Sequence, residues 1–344
     1  MDRDESCRLV SRARPPSLSL RDRTGAAGPD EAALPSLRMT APRPAEDKIL
    51  RHRTVALFAL VEVDVYRFLR YVPKNHLSRL AGGLMHVRFP RPIARRLVRW
   101  FAKSYKIDVS AASRELEEYG SIGEFFTRDL REGLRPIESD FVSPVDGFLR
   151  NFGLITGGKL EQIKGKTYTL ERFLGDETSA RRYLGGAFFN LYLSPTDYHH
   201  IHSPVGGTIP ESVHIPGKLW PVNDWSLANI DELFSINERV ITYVDSHLGR
   251  VAVVMIGATN VGKISVTYDT FISNASGSPR NASRTYDPPL PIATGDRLGT
   301  FHMGSSVVVL VEPGKIDLEK VKLEAGTSVR YGQAVVRQGL GARG

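Results

Sequence analysis

Residues 298–311 read LGTFHMGSSVVVLV. The β-branched run from Ser305 to Val311 has the composition of a strand and is too short for an ordinary helix. By itself, a Gly-Ser-Ser at the mouth of a strand is a hairpin or a bulge. It is not the nucleophile elbow of the α/β-hydrolases, because the position two after Ser305 is Val307 rather than Gly. Short apolar or alternating runs of the same kind recur upstream, at Phe148–Ile155, Ala187–Leu193, Gly207–Ile215, Arg239–Asp245, Arg250–Ile256 and Lys263–Tyr268. Clusters of Gly, Pro, Asn and Asp separate them, in a chain with 31 Gly and 21 Pro. From about Phe141 onward this spacing predicts a compact, mainly antiparallel β body, interrupted by short helices at 169–174 and 227–234.

The preceding part has a different period. Apolar positions recur at helical spacing over 47–71, 74–86 and 91–106, punctuated by Pro73, Pro90 and Pro92. Residues 110–118 and 121–130 read as two further short helices, the second opened by Ser121 with Glu124 three residues on. The fold class expected is therefore α+β, with N-terminal amphipathic helices followed by the β body.

Charge narrows the partners. The 344-residue chain carries a formal +8, which suits an anionic partner. Between Val65 and Ile107 there are eleven Lys or Arg and no Asp or Glu, interleaved with Tyr66, Phe68, Leu80, Leu84, Phe89, Ile93, Leu97, Trp100 and Phe101. Basic residues mixed with bulky apolar ones suit helices lying in an anionic membrane interface better than a groove tracking nucleic acid. The plainer alternative is a solvated basic face over an ordinary core. The longest apolar run, Val55–Val63, is broken by Glu62 and falls far below the roughly 20 residues of a spanning helix. Residues 1–45 show no apolar signal core, and their acids argue against a transit peptide. They are expected to be a disordered tail, and Met39 is an alternative start. The single cysteine, Cys7, excludes an intramolecular disulfide.

Two polar motifs stand out in the β body. Tyr198-His199-His200-Ile201-His202 follows a strand and a Ser-Pro-Thr-Asp turn. Three histidines in four positions could bind a metal, but that needs further ligands, and no metal is assigned. In an extended segment His200 and His202 share a face and His199 lies opposite; His200 reads as a structural histidine. Ser143-Pro144-Val145-Asp146-Gly147 puts an Asp at a strand entrance, which is ordinarily a turn residue unless a histidine lies beside it.

Together with Glu124–Leu130 (EFFTRDL), Arg135-Pro136-Ile137, Lys164–Leu170 (KGKTYTL), Asn237–Val240, Val254–Gly262 (VMIGATNVG) and Gly304-Ser305-Ser306, these motifs resemble the phosphatidylserine decarboxylases, in the family's order from about Tyr71 to Gln338. The resemblance implies a proenzyme that cleaves itself between Gly304 and Ser305 and converts Ser305 into a pyruvoyl cofactor. It implies His202 as the base, Asp146 as the carboxylate that fixes its tautomer, and His199 as the general acid of decarboxylation. It further implies conversion of phosphatidylserine to phosphatidylethanolamine and carbon dioxide through a Schiff base. Two departures are conservative: Met303-Gly304-Ser305-Ser306 stands where Leu-Gly-Ser-Thr is common, and Val145 stands where Ala commonly precedes the Asp. The expected organisation is a tail at 1–45, membrane-associating helices at 46–108 and a catalytic domain at 109–344. Cleavage would give chains 1–304 and 305–344, paired as a homodimer of heterodimers on the inner face of a bacterial cytoplasmic membrane. A Ser-His-Asp lipid hydrolase, or a non-enzymatic β-rich lipid-binding module, would use the same residues but leave the 38.2 kDa chain intact. A pyruvoyl decarboxylase of a soluble amino acid would share the cleavage without needing the basic helices.

Overall fold

The computed structural model describes residues 83–163, 166–259, 263–273, 282–302 and 306–336. All of the described residues belong to one compact unit within 70–344. The helices expected over 47–71 and most of 74–86 lie outside the described residues.

Helix α1 (Arg91–Ser104) has Pro92 in its first turn, where no backbone N–H is needed. It buries Ala94, Val98, Phe101 and Ala102, while Ile93 and Trp100 remain exposed. The buried stripe packs with Ile107, Tyr119, Phe125 and Phe126 in a small core of its own. Helix α2 (Ile122–Phe126) begins as its sequence predicts: the Ser121 hydroxyl accepts the Glu124 amide at 3.1 Å, and the Glu124 carboxylate accepts the Gly120 amide at 3.0 Å. The helix expected over 110–118 is instead two short 3-10 turns, Val109–Ala111 and Leu116–Glu118. Asp108 accepts the Ser110 amide and Glu118 accepts the Glu115 amide, so local side-chain bonds close each turn before a helix can propagate.

The β body comprises β1 (Gly147–Leu154), β2 (Lys159–Ile163), β3 (Lys166–Thr169), β4 (Ala187–Tyr192), β5 (His200–His202), β6 (Gly207–Ile215), β7 (Arg239–Ser246), β8 (Gly249–Ile256), β9 (Ile264–Val266), β10 (Ala282–Ile292), β11 (Arg297–Phe301), β12 (Ser306–Val311) and β13 (Thr327–Val329). Eight of them form one antiparallel sheet in the order β10-β6-β7-β8-β12-β4-β1-β13. A second sheet runs β5-β11-β9, and β2 pairs with β3.

The β-branched run at 306–311, β12, sits between β8 and β4 and is buried along its whole length. Its unbroken Ser-Val-Val-Val-Leu-Val has no polar side to turn to solvent, so a central position is where it is most stable. The expected strand at 207–215 coincides with β6, and those at 148–155, 187–193, 239–245 and 250–256 fall within one residue of β1, β4, β7 and β8. The expected helical interruptions appear as Leu170–Leu174, Asp224–Asn229 and Leu233–Ile236. β10 was hidden by Pro288, Pro289 and Pro291. It occupies the sheet edge and is irregular between Thr285 and Leu290, where missing N–H donors are tolerated.

Candidate active site

The three polar motifs, distant in sequence, meet at β5. The His202 amide donates to Pro144 O at 2.8 Å, which ties β5 to the loop before β1. On its other side β5 pairs with β11, the Phe301 amide donates to His199 O at 2.9 Å, and His200 Nδ1 lies 2.7 Å from the Thr300 hydroxyl. Gly147 lets the start of β1 lie close against the end of β4, because a Cβ there would collide with the Tyr192 carbonyl. Gly304 and Ser305 lie outside the described residues. Their described neighbours in sequence are His302, just after β11, and Ser306, the first residue of β12.

His202 is buried, with both ring nitrogens engaged. Its Nδ1–H donates to Gly295 O at 2.6 Å, and Nε2 accepts from the Tyr198 hydroxyl at 3.2 Å. The carbonyl fixes the tautomer, since it can only accept. Burial lowers the pKa to about 4, Arg297 pushes the same way, and the Gly295 carbonyl, Asp146 and Asp296 oppose it. The ring is therefore neutral at physiological pH and its Nε2 lone pair can take a proton.

Asp146 is brought to the same place but is not hydrogen-bonded to His202. Arg135 grips its carboxylate, with Nη2 2.6 Å from Oδ2, and the Tyr331 amide donates to Oδ1 at 2.9 Å. The Tyr331 ring lies flat on the His202 ring, with centroids 3.9 Å apart and planes 5° apart.

His199 faces another way. Its Nδ1–H donates to Asp197 O at 2.9 Å, its ring lies against Phe126 at 3.9 Å, and its buried Nε2 has no hydrogen-bond partner among the described residues. Burial, then the nearby Arg128 charge, lower its pKa to about 3. Arg128 is itself 4% exposed and donates through Nη2 to Thr196 O at 2.9 Å and to Asp197 O at 3.4 Å, so it shares the carbonyl that orients His199. Burial pushes the Asp197 carboxyl up to about 6. His200 is held on both sides, with Nε2 donating to Thr127 O at 3.0 Å, and it has no free nitrogen for chemistry.

Sequence reading gave no role to Arg135, Arg128, Tyr331 or Gly295. The two arginines stand inside recognisable motifs and could have been flagged there. Tyr331 and Gly295 carry no local signal; Tyr331 lies 185 positions from the carboxylate it binds.

A second feature lies on α1. A cavity of about 820 Å³ is lined by Arg91, Arg95, Arg96, Arg99 and Arg114, with Glu117 and Glu118 on its wall. Glu117 pairs with Arg99 at 2.5 Å and Arg95 at 3.8 Å, while Arg91 and Arg96 have no ion pair among the described residues. Among those residues no helix is long and apolar enough to cross a membrane.

Residues 122–337 match the family model described as phosphatidylserine decarboxylase. A protein of Anaeromyxobacter sp. named phosphatidylserine decarboxylase proenzyme is 45% identical over 271 residues, covering 77% of this chain and 95% of that relative. Relatives of the same name from Myxococcus xanthus and Brevibacillus brevis are 39% and 37% identical, over 78% and 77% of this chain and 96% and 94% of their own lengths.

Proposed function

The chain belongs to the phosphatidylserine decarboxylase family, and from that premise we propose that it is a self-processing enzyme that converts phosphatidylserine to phosphatidylethanolamine and carbon dioxide. The observation that carries the reading is the meeting of the 143–147, 199–202 and 297–301 segments, with two buried, neutral histidines among them.

Self-cleavage draws on His202. Its Nε2 takes the proton of the Ser305 hydroxyl as that oxygen bonds to the Gly304 carbonyl carbon, and the imidazolium returns the proton to the Ser305 nitrogen as the Gly304–Ser305 C–N bond breaks, leaving an ester and a free Ser305 amine. Removal of the Ser305 α-proton expels the Gly304 carboxylate and leaves a dehydroalanine, which water converts to the ketone with loss of ammonia. Serine supplies both the nucleophile and the ketone carbons, and glycine at 304 leaves its carbonyl open to attack. Asp146 favours the imidazolium of His202 through its charge, while Gly295 holds the tautomer.

The Ser306 hydroxyl, next in sequence, and His199 Nε2 are both buried without a hydrogen-bond partner among the described residues, which suits a polar group made from Ser305. Once formed, the pyruvoyl group supplies a carbonyl that takes up the substrate amine and accepts the electron pair released with carbon dioxide. His199, held neutral with Nδ1–H on Asp197 O, accepts a proton from the substrate ammonium at Nε2 and returns it to the substrate carbon that has lost its carboxylate.

The short chain 305–344 would contribute β12 and β13. β12 is paired on both edges, so cleavage leaves the two chains held together by sheet hydrogen bonds. The basic cavity and the exposed Ile93 and Trp100 of α1 support attachment of the 46–108 region to an anionic membrane surface, the inner face of a bacterial cytoplasmic membrane. Two processed heterodimers are expected to pair, which light scattering would test.

Intact-mass analysis of the purified protein tests the function. It should return two chains, the shorter one beginning at residue 305 and blocked to Edman chemistry, with carbon dioxide released from phosphatidylserine vesicles. Ser305→Ala and His202→Ala should each give one uncut, inactive chain. A fully active enzyme of one intact chain would overturn the reading.

A further inference from the structure

We infer that Tyr331 is a positioning residue for self-cleavage, its ring supporting His202 as that imidazole takes up the Ser305 proton. The inference rests on the reading of His202 as the proton acceptor.

The Tyr331 ring covers one face of His202 at 3.9 Å and 5°, in a cluster with Tyr198, whose ring lies 5.7 Å from His202 and 5.6 Å from Tyr331. Its backbone is pinned to the loop that carries Asp146: the Tyr331 amide donates to Asp146 Oδ1 at 2.9 Å, and the Gly332 amide donates to Ser143 O at 3.0 Å. Gly332 also accepts from the Glu138 amide at 2.9 Å, and at φ 82° it adopts a left-handed conformation that other residues rarely take. The ring is thus fixed against His202 from both sides of residue 331.

A cation over an aromatic face is attracted by the ring quadrupole, whereas a neutral ring gains little beyond dispersion. His202 is neutral before the proton transfer and cationic after it, so the stacked face acts mainly where charge develops. The charged groups around His202 leave this contribution room to matter. Arg297 opposes the imidazolium, Asp296 and Asp146 favour it, and the Asp146 charge is already shared with Arg135. In the transfer, the Ser305 O–H bond breaks, its proton goes to His202 Nε2 in place of the Tyr198 hydroxyl, and the serine oxygen bonds to the Gly304 carbonyl carbon as the C=O π pair moves onto the carbonyl oxygen.

The test follows the full-length band of labelled chain after cell-free synthesis. Tyr331→Phe and Tyr331→Trp should be cut within about twofold of the wild-type half-time, and Tyr331→Leu about tenfold more slowly. In a Ser305→Ala background, Tyr331→Leu should melt within a few degrees of its parent, which separates positioning from loss of fold. Wild-type cutting by the Leu variant overturns the inference, as does a Phe variant as slow as Leu. If the Leu variant does not fold, the rings alone decide: a Tyr331→His rate equal to those of Phe and Trp overturns it, and a slower His rate supports it. An uncut wild-type chain would count against the parent reading, whereas a cut wild type with an unimpaired Leu variant counts only against Tyr331.

Discussion

Arg135 holds Asp146 at two points, with Nε 3.0 Å from Oδ1 and Nη2 2.6 Å from Oδ2, and both side chains are largely buried. The carboxylate that motif order couples to His202 is therefore bonded to a guanidinium, and it acts on the imidazole through space rather than through a hydrogen bond.

This pairing predicts an asymmetric mutant cycle. Arg135→Met leaves a buried carboxylate without its cation and should cost about 3 kcal/mol of stability, read as a fall of several degrees in melting temperature. Arg135→Met combined with Asp146→Asn should recover most of that loss, because neither charge is then stranded. Chain cutting should stay impaired in the double variant, since the anion that favours the His202 imidazolium is gone. Gel analysis of cutting alongside calorimetry separates the two effects.

His199 and Arg128 share the Asp197 carbonyl, and their variants should part company with those of His202. His199→Ala is expected to be cut normally but to lose about 100-fold or more in decarboxylation. Normal turnover in that variant would remove the role given to His199. Arg128→Met takes away the charge that disfavours the His199 imidazolium, while His200 and the Asp197 carboxyl remain in place. His199 then becomes protonated at higher pH, so the acid limb of decarboxylation should move to higher pH. Arg128→Lys should leave the limb where it is.

Stability should fall on mild acidification. His199 and His200 are held near 3, and His202 and His302 near 4, in each case chiefly by burial. Their folded pKa values lie below the unfolded value of about 6.5, so the unfolded chain binds more protons in the window between. Stability contributed by the neutral histidines is full above pH 6.5 and is lost progressively as pH falls toward 3 to 4. Asp197, raised to about 6, works in the opposite direction and offsets only one of the four. Thermal melts of Ser305→Ala between pH 7 and 4.5 should show a steady decline, and a flat profile would contradict the burial argument.

Membrane attachment should depend on α1. Arg91→Glu/Arg96→Glu changes two guanidinium groups on the cavity wall that have no ion pair among the described residues, and Trp100→Ser removes an apolar side chain that is 62% exposed. Cosedimentation with phosphatidylglycerol vesicles should weaken for both variants. Binding to phosphatidylcholine vesicles should be weak from the outset and insensitive to the arginine changes.

The sequence by itself determined where the main strands β1, β4, β6, β7, β8 and β12 run and which residue types could do the chemistry. Period-two patterning and the unbroken Val307–Val311 run are local properties, and a buried strand needs no distant information to be recognised. The motifs 143–147, 198–202 and 304–306 likewise show their composition without a fold. Only the tertiary structure decided which atoms meet. A carboxylate pairs with whichever cation or amide the fold brings within 3 Å; for Asp146 these are Arg135 and the amide of Tyr331, and although Arg135 stands in a motif, no local pattern pairs it with this carboxylate. The proline-bearing β10 was settled in the same way, since its place at a sheet edge depends on neighbours the local sequence does not contain.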